Sequence, residues 1–233
     1  MKKIVLLVLL AQLVKSCFIG SLYSEEDYWF AKGKTQRFLE IEDLVVLVDS
    51  TSREFDFSID AKAKRTYSAL NPEDAPQFNA LLEKYGDMNY NQKLLKYDGQ
   101  GCFVPDVVGI QVVSDREFDA DHPAGSSLND CFSLKLYSFY LTLDNKYYLN
   151  QPHLYNSLLT NVGKEELMMI AVTRLQGAVW NSGYSGYAKL TFKKLPEKIE
   201  THNFTFVITD ENGKKYSSTI EYDFSQCLLA GKE

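Results

Sequence analysis

Apolar and polar residues alternate with a period of two through much of the chain. Residues 37–48 (RFLEIEDLVVLV) begin with alternation at Phe38, Glu40 and Glu42 and then become wholly apolar, as a strand does on entering a core. In the next run, Phe55, Phe57 and Ile59 share one face, opposite Asp56, Ser58 and Asp60. Residues 107–113 form a near-continuous apolar run, and residues 132–143 (FSLKLYSFYLTL) alternate before thickening with aromatics. Residues 187–192, 203–209 and 215–222 complete the predicted strands. Between the last two lies Asp210-Glu211-Asn212-Gly213. Asn-Gly flanked by alternating runs predicts a hairpin with a type I′ turn, whose two central residues take positive φ.

Helical spacing is scarce. Asn71-Pro72-Glu73-Asp74 has N-terminal cap chemistry, Phe78, Leu81, Leu82 and Tyr85 repeat at 3.6 residues, and Gly86 follows. With Pro76 limiting its start, this predicts a helix over about 75–85 or shorter. Residues 152–159 offer a short second helix, and residues 165–175 (EELMMIAVTRL) are ambiguous between helix and strand, with strand favoured by their neighbours. Residues 86–101 are polar and turn-rich and read as an exposed loop. Many short strands separated by turn clusters predict an all-β fold, an immunoglobulin-like β-sandwich with one or two short helices. At 233 residues, a single domain over 37–233 is expected.

The first residues carry an address. Lys2 and Lys3 precede an apolar run over 4–14 broken only by Gln12. A spanning helix needs about 20 apolar residues, so this run has the size of a secretory signal segment instead. Val14-Lys15-Ser16-Cys17 resembles a bacterial lipobox, with Lys15 an unusual occupant. The expected organisation is a signal peptide over 1–16, lipidation at Cys17, a tether over 17–36 and then the domain; a soluble secreted protein cut nearby is the alternative. Acyl chains anchor because each buried CH₂ contributes about 0.8 kcal/mol. Removal of residues 1–16 takes three lysines and no acid from a chain of net charge −6, leaving −9. With a pI near 5.2 the chain has no basic field for nucleic acid. Ser24-Glu25-Glu26-Asp27 resembles, further along than usual, the acidic surface-display signal of Bacteroidota lipoproteins. A solvated linker explains it equally well.

Residues 110–132 read IQVVSDREFDADHPAGSSLNDCF. This segment resembles one found in small Bacteroidota lipoproteins grouped as a domain of unknown function. The resemblance implies a β-rich lipoprotein of the outer membrane, on its periplasmic or cell-surface face, and transfers no catalytic residue.

Candidate chemistry is sparse. Asp115, Glu117, Asp119 and Asp121 invite a calcium reading, but the twelve-residue loop pattern and its closing Glu are absent, so a polar loop held by turns is expected. His122, His153 and His202 are the three histidines, without the spacing of a local zinc motif. Ser126, Ser127 and Ser185 have no nucleophile elbow around them. No metal, cofactor or enzymatic activity is therefore expected. Beyond Cys17 there are Cys102, Cys131 and Cys227; Cys102 with Cys131 is the preferred disulfide, and free buried thiols are the alternative. Trp180, Tyr184 and Tyr187, interleaved with Asn, Ser and Gly, offer aromatic plates beside short polar groups. Such a loop suits a glycan or a protein partner. Tyr147-Tyr148 is a weaker patch, Asp49-Ser50-Thr51 resembles an O-glycosylation signal, and Asn203-Phe204-Thr205 matches a sequon inside a predicted strand. The expected function is a non-enzymatic, envelope-anchored binding module. The alternative is a surface-fibre subunit in which the strand at 38–48 is exchanged between chains.

Overall fold

The computed structural model describes residues 28–48, 56–95, 101–140, 143, 153–172 and 188–226. Its first strands are β1 (Tyr28–Ala31), β2 (Arg37–Val48) and β3 (Asp56–Ser68), followed by helix α1 (Ala75–Tyr85). Then come β4 (Gln92–Leu95), β5 (Gly101–Val104), β6 (Val107–Ser114), β7 (Phe132–Ser138) and β8 (His153–Leu158). A one-turn helix α2 (Lys164–Leu167) precedes β9 (Ala171–Val172), β10 (Ala188–Phe192), β11 (Thr201–Asp210) and β12 (Lys215–Asp223). Seven strands form a sheet in the order β8-β7-β10-β3-β2-β5-β9, three form a second in the order β12-β11-β6, and β1 pairs with β4. Every described pair of strands is antiparallel except β2 with β5. This is the mostly-β, sandwich-like fold that the alternation predicts.

The two larger sheets share the main core. Burial alternates along the whole of β11, with His202, Phe204, Phe206, Ile208 and Asp210 inside. These meet Phe57, Ile59, Leu134 and Leu190 from the larger sheet. Phe57 is the hub: its ring lies 4.9–6.2 Å from those of Phe132, Phe192, Phe204, Phe206 and Tyr222, mostly edge-on or tilted. Such pairs contribute about 0.5–1.5 kcal/mol each beyond the area they bury.

A second core lies where α1 lays Phe78, Leu81, Leu82 and Tyr85 against Phe38, Cys102, Val104 and Met169. On β5, Phe103 joins the main core while its neighbours Cys102 and Val104 join the helix side, as strand alternation requires. On β2, Phe38 belongs to the helix side but Ile41, Leu44 and Val46 to the main core. The change of face is made by register shifts between Glu40 and Ile41 and between Ile41 and Asp43.

The helix over 75–85 is where its spacing predicts it, preceded by a 3₁₀ turn whose cap Asn71 accepts from the Glu73 amide at 3.2 Å. The β11–β12 hairpin is also present, but its turn differs from type I′. Asp210 and Lys214 close the loop, and Gly213, not Asn212, takes positive φ, at 80°. This is a three-residue loop ending in a glycine bulge, favoured here because the Asp210 carboxylate accepts from the Asn212 and Lys214 amides at 2.9 Å each.

Other local readings change. The helix expected over 152–159 is strand β8, which takes the free edge of β7. In 165–175, favoured as strand, the first residues form α2, and among the described residues Ala171 and Val172 form strand β9. The described residues of the loop expected over 86–101 include β4 and the buried Asp87 and Tyr90. Asp87 explains why the expected tether is partly folded: its carboxylate accepts from the Lys34 and Thr35 amides at 2.8 Å each and draws residues 31–36 into the domain. Cys102 and Cys131 are both free thiols, in different cores, so the disulfide expected between them is not formed. Among the described residues no helix is long and apolar enough to cross a membrane.

Candidate functional site

The loop between β6 and β7 carries the acidic cluster and also the densest set of ionisable groups described. It folds back on β6 through the Gly125 amide on the Ser114 carbonyl and the Leu128 amide on the Val112 carbonyl, both 2.8 Å. Asn129 completes the return, accepting from the Val112 amide at 3.0 Å and donating to the Ile110 carbonyl at 2.9 Å. Phe118 pins the loop from inside, fully buried against Phe192, Phe204 and Phe224.

The loop's charges are paired outward, one by one, with the segment leading into β11. Arg116 meets Glu200 at 2.9 Å, Lys198 meets Glu117 at 3.4 Å and Lys194 meets Asp119 at 2.9 Å. Asp115 accepts from the Asn203 amide groups, which hold its carboxyl below the usual range. Asp115, Glu117 and Asp119 diverge to separate partners instead of converging on one point.

Behind this zipper sits His122. Its Nδ1 lies 2.5 Å from Asp119 Oδ1, and its Nε2 lies 2.9 Å from Asp130 Oδ1 and 3.9 Å from Cys131 Sγ. Cys131 and Asp130 come from the 3₁₀ turn that opens β7, so the loop's two ends meet at this ring. Hydrogen bonds from Lys194 and His122 lower the Asp119 pKa to about 2. The Asp119 hydrogen bond, opposed by burial, raises that of His122. Burial, with Asp130 beside it, pushes the Cys131 thiol up to about 12.

Cys131, His122 and Asp119 thus stand in the order of a nucleophile, a base and its orienting acid. A reactive thiol needs a lowered pKa and access to substrate. Cys131 has neither, being fully buried with its pKa raised, and Asp130 occupies the imidazole nitrogen that would accept its proton. What the set offers is ligand atoms: those of Asp119, His122 and Cys131 lie within 4.8 Å of one another.

Sequence reading kept His122 as a loop residue and Cys131 as a packing or disulfide residue, and missed their convergence. The available signal was a histidine three positions after an aspartate, with Asp-Cys eight and nine positions further on. Of the serines weighed as nucleophiles, Ser126 Oγ donates to the Pro123 carbonyl at 2.7 Å and Ser127 Oγ accepts from the Asn129 amide at 3.4 Å. His202 is bonded instead to Ser114, Nδ1 to Oγ at 2.8 Å, with both residues buried. The described cleft lined by Tyr67, Leu81, Lys84, Pro105 and Glu211 holds about 200 Å³. That is below the roughly 300–1,000 Å³ of small-molecule pockets.

Cys17, Trp180, Tyr184, Tyr187, Ser185, Tyr147, Tyr148, Cys227 and the Asp49-Ser50-Thr51 motif lie outside the described residues. The Asn203 side chain of the sequon is taken up by Asp115. No family model, curated protein or solved structure matches the chain.

Proposed function

We propose that the chain is a non-enzymatic binding module of a bacterial cell envelope, held at the outer membrane through Cys17. The lysine-led apolar run over 4–14, with Cys17 three positions after it, supports the anchor. The observation that carries the non-enzymatic part is the state of Cys131: the one described nucleophile–base–acid alignment has its thiol fully buried and, with no ion beside it, held protonated by that burial. The segment that carries Trp180, Tyr184 and Tyr187, interleaved with Asn, Ser and Gly, has the composition for a neutral glycan or a basic protein surface. Against a strand-exchange fibre, β2 is bonded to β3 on one side and β5 on the other and buries Phe38, Ile41, Leu44 and Val46. Withdrawing it would open both cores.

The test is a glycan array and a protein pull-down with the folded chain and its Trp180→Ala variant. Binding present in the first and lost in the second is expected. Binding unchanged by the substitution removes the loop from the reading, and turnover of a captured glycan or peptide would overturn the non-enzymatic part.

A further inference from the structure

We propose that His122, Cys131 and Asp130 form a binding site for a zinc-class divalent transition metal, with Asp119 holding the His122 ring from behind. This goes beyond the envelope-module reading and does not depend on it.

The geometry is that of three ligands. Nε2 of His122, Sγ of Cys131 and Oδ1 of Asp130 form a triangle with edges of 2.9, 3.8 and 3.9 Å. Around a tetrahedral zinc, the corresponding edges are about 3.3 Å between nitrogen and oxygen and about 3.5 Å to sulfur. An ion standing about 0.7 Å out of the plane of the three atoms, as tetrahedral coordination requires, would be about 2.2 Å from each, against usual bonds of about 2.0–2.1 Å to nitrogen and 2.3 Å to sulfur. Small shifts of Asp130 would suffice, and its side chain is 53% exposed and so able to make them.

The surroundings fit. Nδ1 of His122 faces Asp119 Oδ1 at 2.5 Å, which fixes the tautomer with the proton on Nδ1 and the Nε2 lone pair directed at the ion. Asp119 is in turn held by Lys194 at 2.9 Å, and Lys194 Nζ lies 3.4 Å from Nδ1, behind the ring. With Cys131 as thiolate, a divalent ion, the two carboxylates and Lys194 bring the site to neutrality. The ion takes the place of the proton now shared between Nε2 and Asp130, and binding releases that proton and the thiol's. A thiolate with an imidazole selects zinc-class ions over calcium or magnesium, which take oxygen ligands. Three protein ligands leave a fourth position on the exposed Asp130 side. The ion would staple the loop after β6 to the start of β7, a cross-link through the middle of the chain.

The test uses the full chain, stripped with chelator and titrated with zinc and, separately, cobalt. Expected are one bound equivalent, a raised melting temperature with zinc, and a thiolate-to-cobalt charge-transfer band with tetrahedral visible bands. Cys131→Ser should abolish the band and Cys102→Ser should retain it. Asp119→Asn should weaken affinity about 10–100-fold without removing a ligand. Because a buried substitution at Cys131 is able to disturb folding, Asp130→Asn serves as the exposed counterpart, and it should lose metal while keeping the metal-free circular dichroism spectrum. No band, a band that persists in Cys131→Ser, or wild-type melting indifferent to zinc means that the cluster is an internal ion pair only, and overturns the proposal.

Discussion

Asp115 accepts hydrogen bonds from both the backbone and the side-chain amide of Asn203, each at 2.8 Å, across 88 residues of sequence. Hydrogen bonds to a charged group contribute about 1.5–3 kcal/mol when sheltered, and exposure of this pair reduces the Asp115→Ala cost to about 1 kcal/mol. The Asp115 carboxyl is held below its ordinary pKa by those amides. Its contribution is therefore present above the unfolded value and lost as pH falls through the folded one. Urea titrations should show a gap between wild type and variant at pH 7 that closes under acid. A gap of the same size throughout would contradict the pairing.

His202 should contribute in the same direction, at higher pH. Burial lowers its pKa, and the ring is enclosed by Phe118, Phe204 and Phe224. Glu200 and Asp115 favour its charged form and Arg116 opposes it, while Nε2 makes no well-formed hydrogen bond and the Lys198 backbone offers at most a weak one. Below its unfolded value of about 6.5 the unfolded chain gains a proton that the folded chain resists, so stability falls as pH is lowered. The difference between wild type and His202→Phe, measured in urea from pH 7.5 to 5, should move against wild type. A pH-independent difference would sink this account.

Phe57→Ala should be among the costliest single changes in the fold. The ring is fully buried and touches five other rings from both sheets. Truncating such a phenylalanine costs about 3–5 kcal/mol, the spread depending on how far the neighbours collapse. A loss under 1 kcal/mol in chemical denaturation would show that this aromatic hub does not organise the core.

Gly213→Ala should cost about 1–2 kcal/mol, because φ is 80° there and an L-residue is strained in that conformation whatever the space. Gly109 is the control: a Cβ there also meets nothing within 4 Å, but its φ is not in the left-handed region. Gly109→Ala should be neutral or stabilising by a few tenths of a kcal/mol. Equal effects at the two positions would argue against the glycine bulge in the turn.

Legibility in the sequence follows the range of the forces involved. The helix at 75–85 is readable because cap, spacing and terminating Gly86 are all local. The β11–β12 hairpin is readable for the same reason, yet its turn type depends on where the Asp210 carboxylate points, which no pattern of apolar residues encodes. β8 carries little apolar alternation of its own and is extended because β7 offers it an edge. The folding of residues 31–36 hangs on Asp87, more than fifty positions away. The His122 cluster is the extreme case: its members read as turn residues until the loop closes and sets Asp119 and Cys131 on either side of one ring.

The long pairing of β2 has a mechanical meaning. Tension that enters from the N-terminal end first meets the β1–β4 pair and the Asp87 bonds to Lys34 and Thr35, and then reaches β2 at Arg37, which pairs antiparallel with β3 along its length and parallel with β5 over its first four residues. A pull along that axis loads the bonds together, in shear, and does not peel them one after another. Force on β2 is therefore shared between β3 and β5, and the domain should resist extension along that strand far better than a pull that peels β12 from β11.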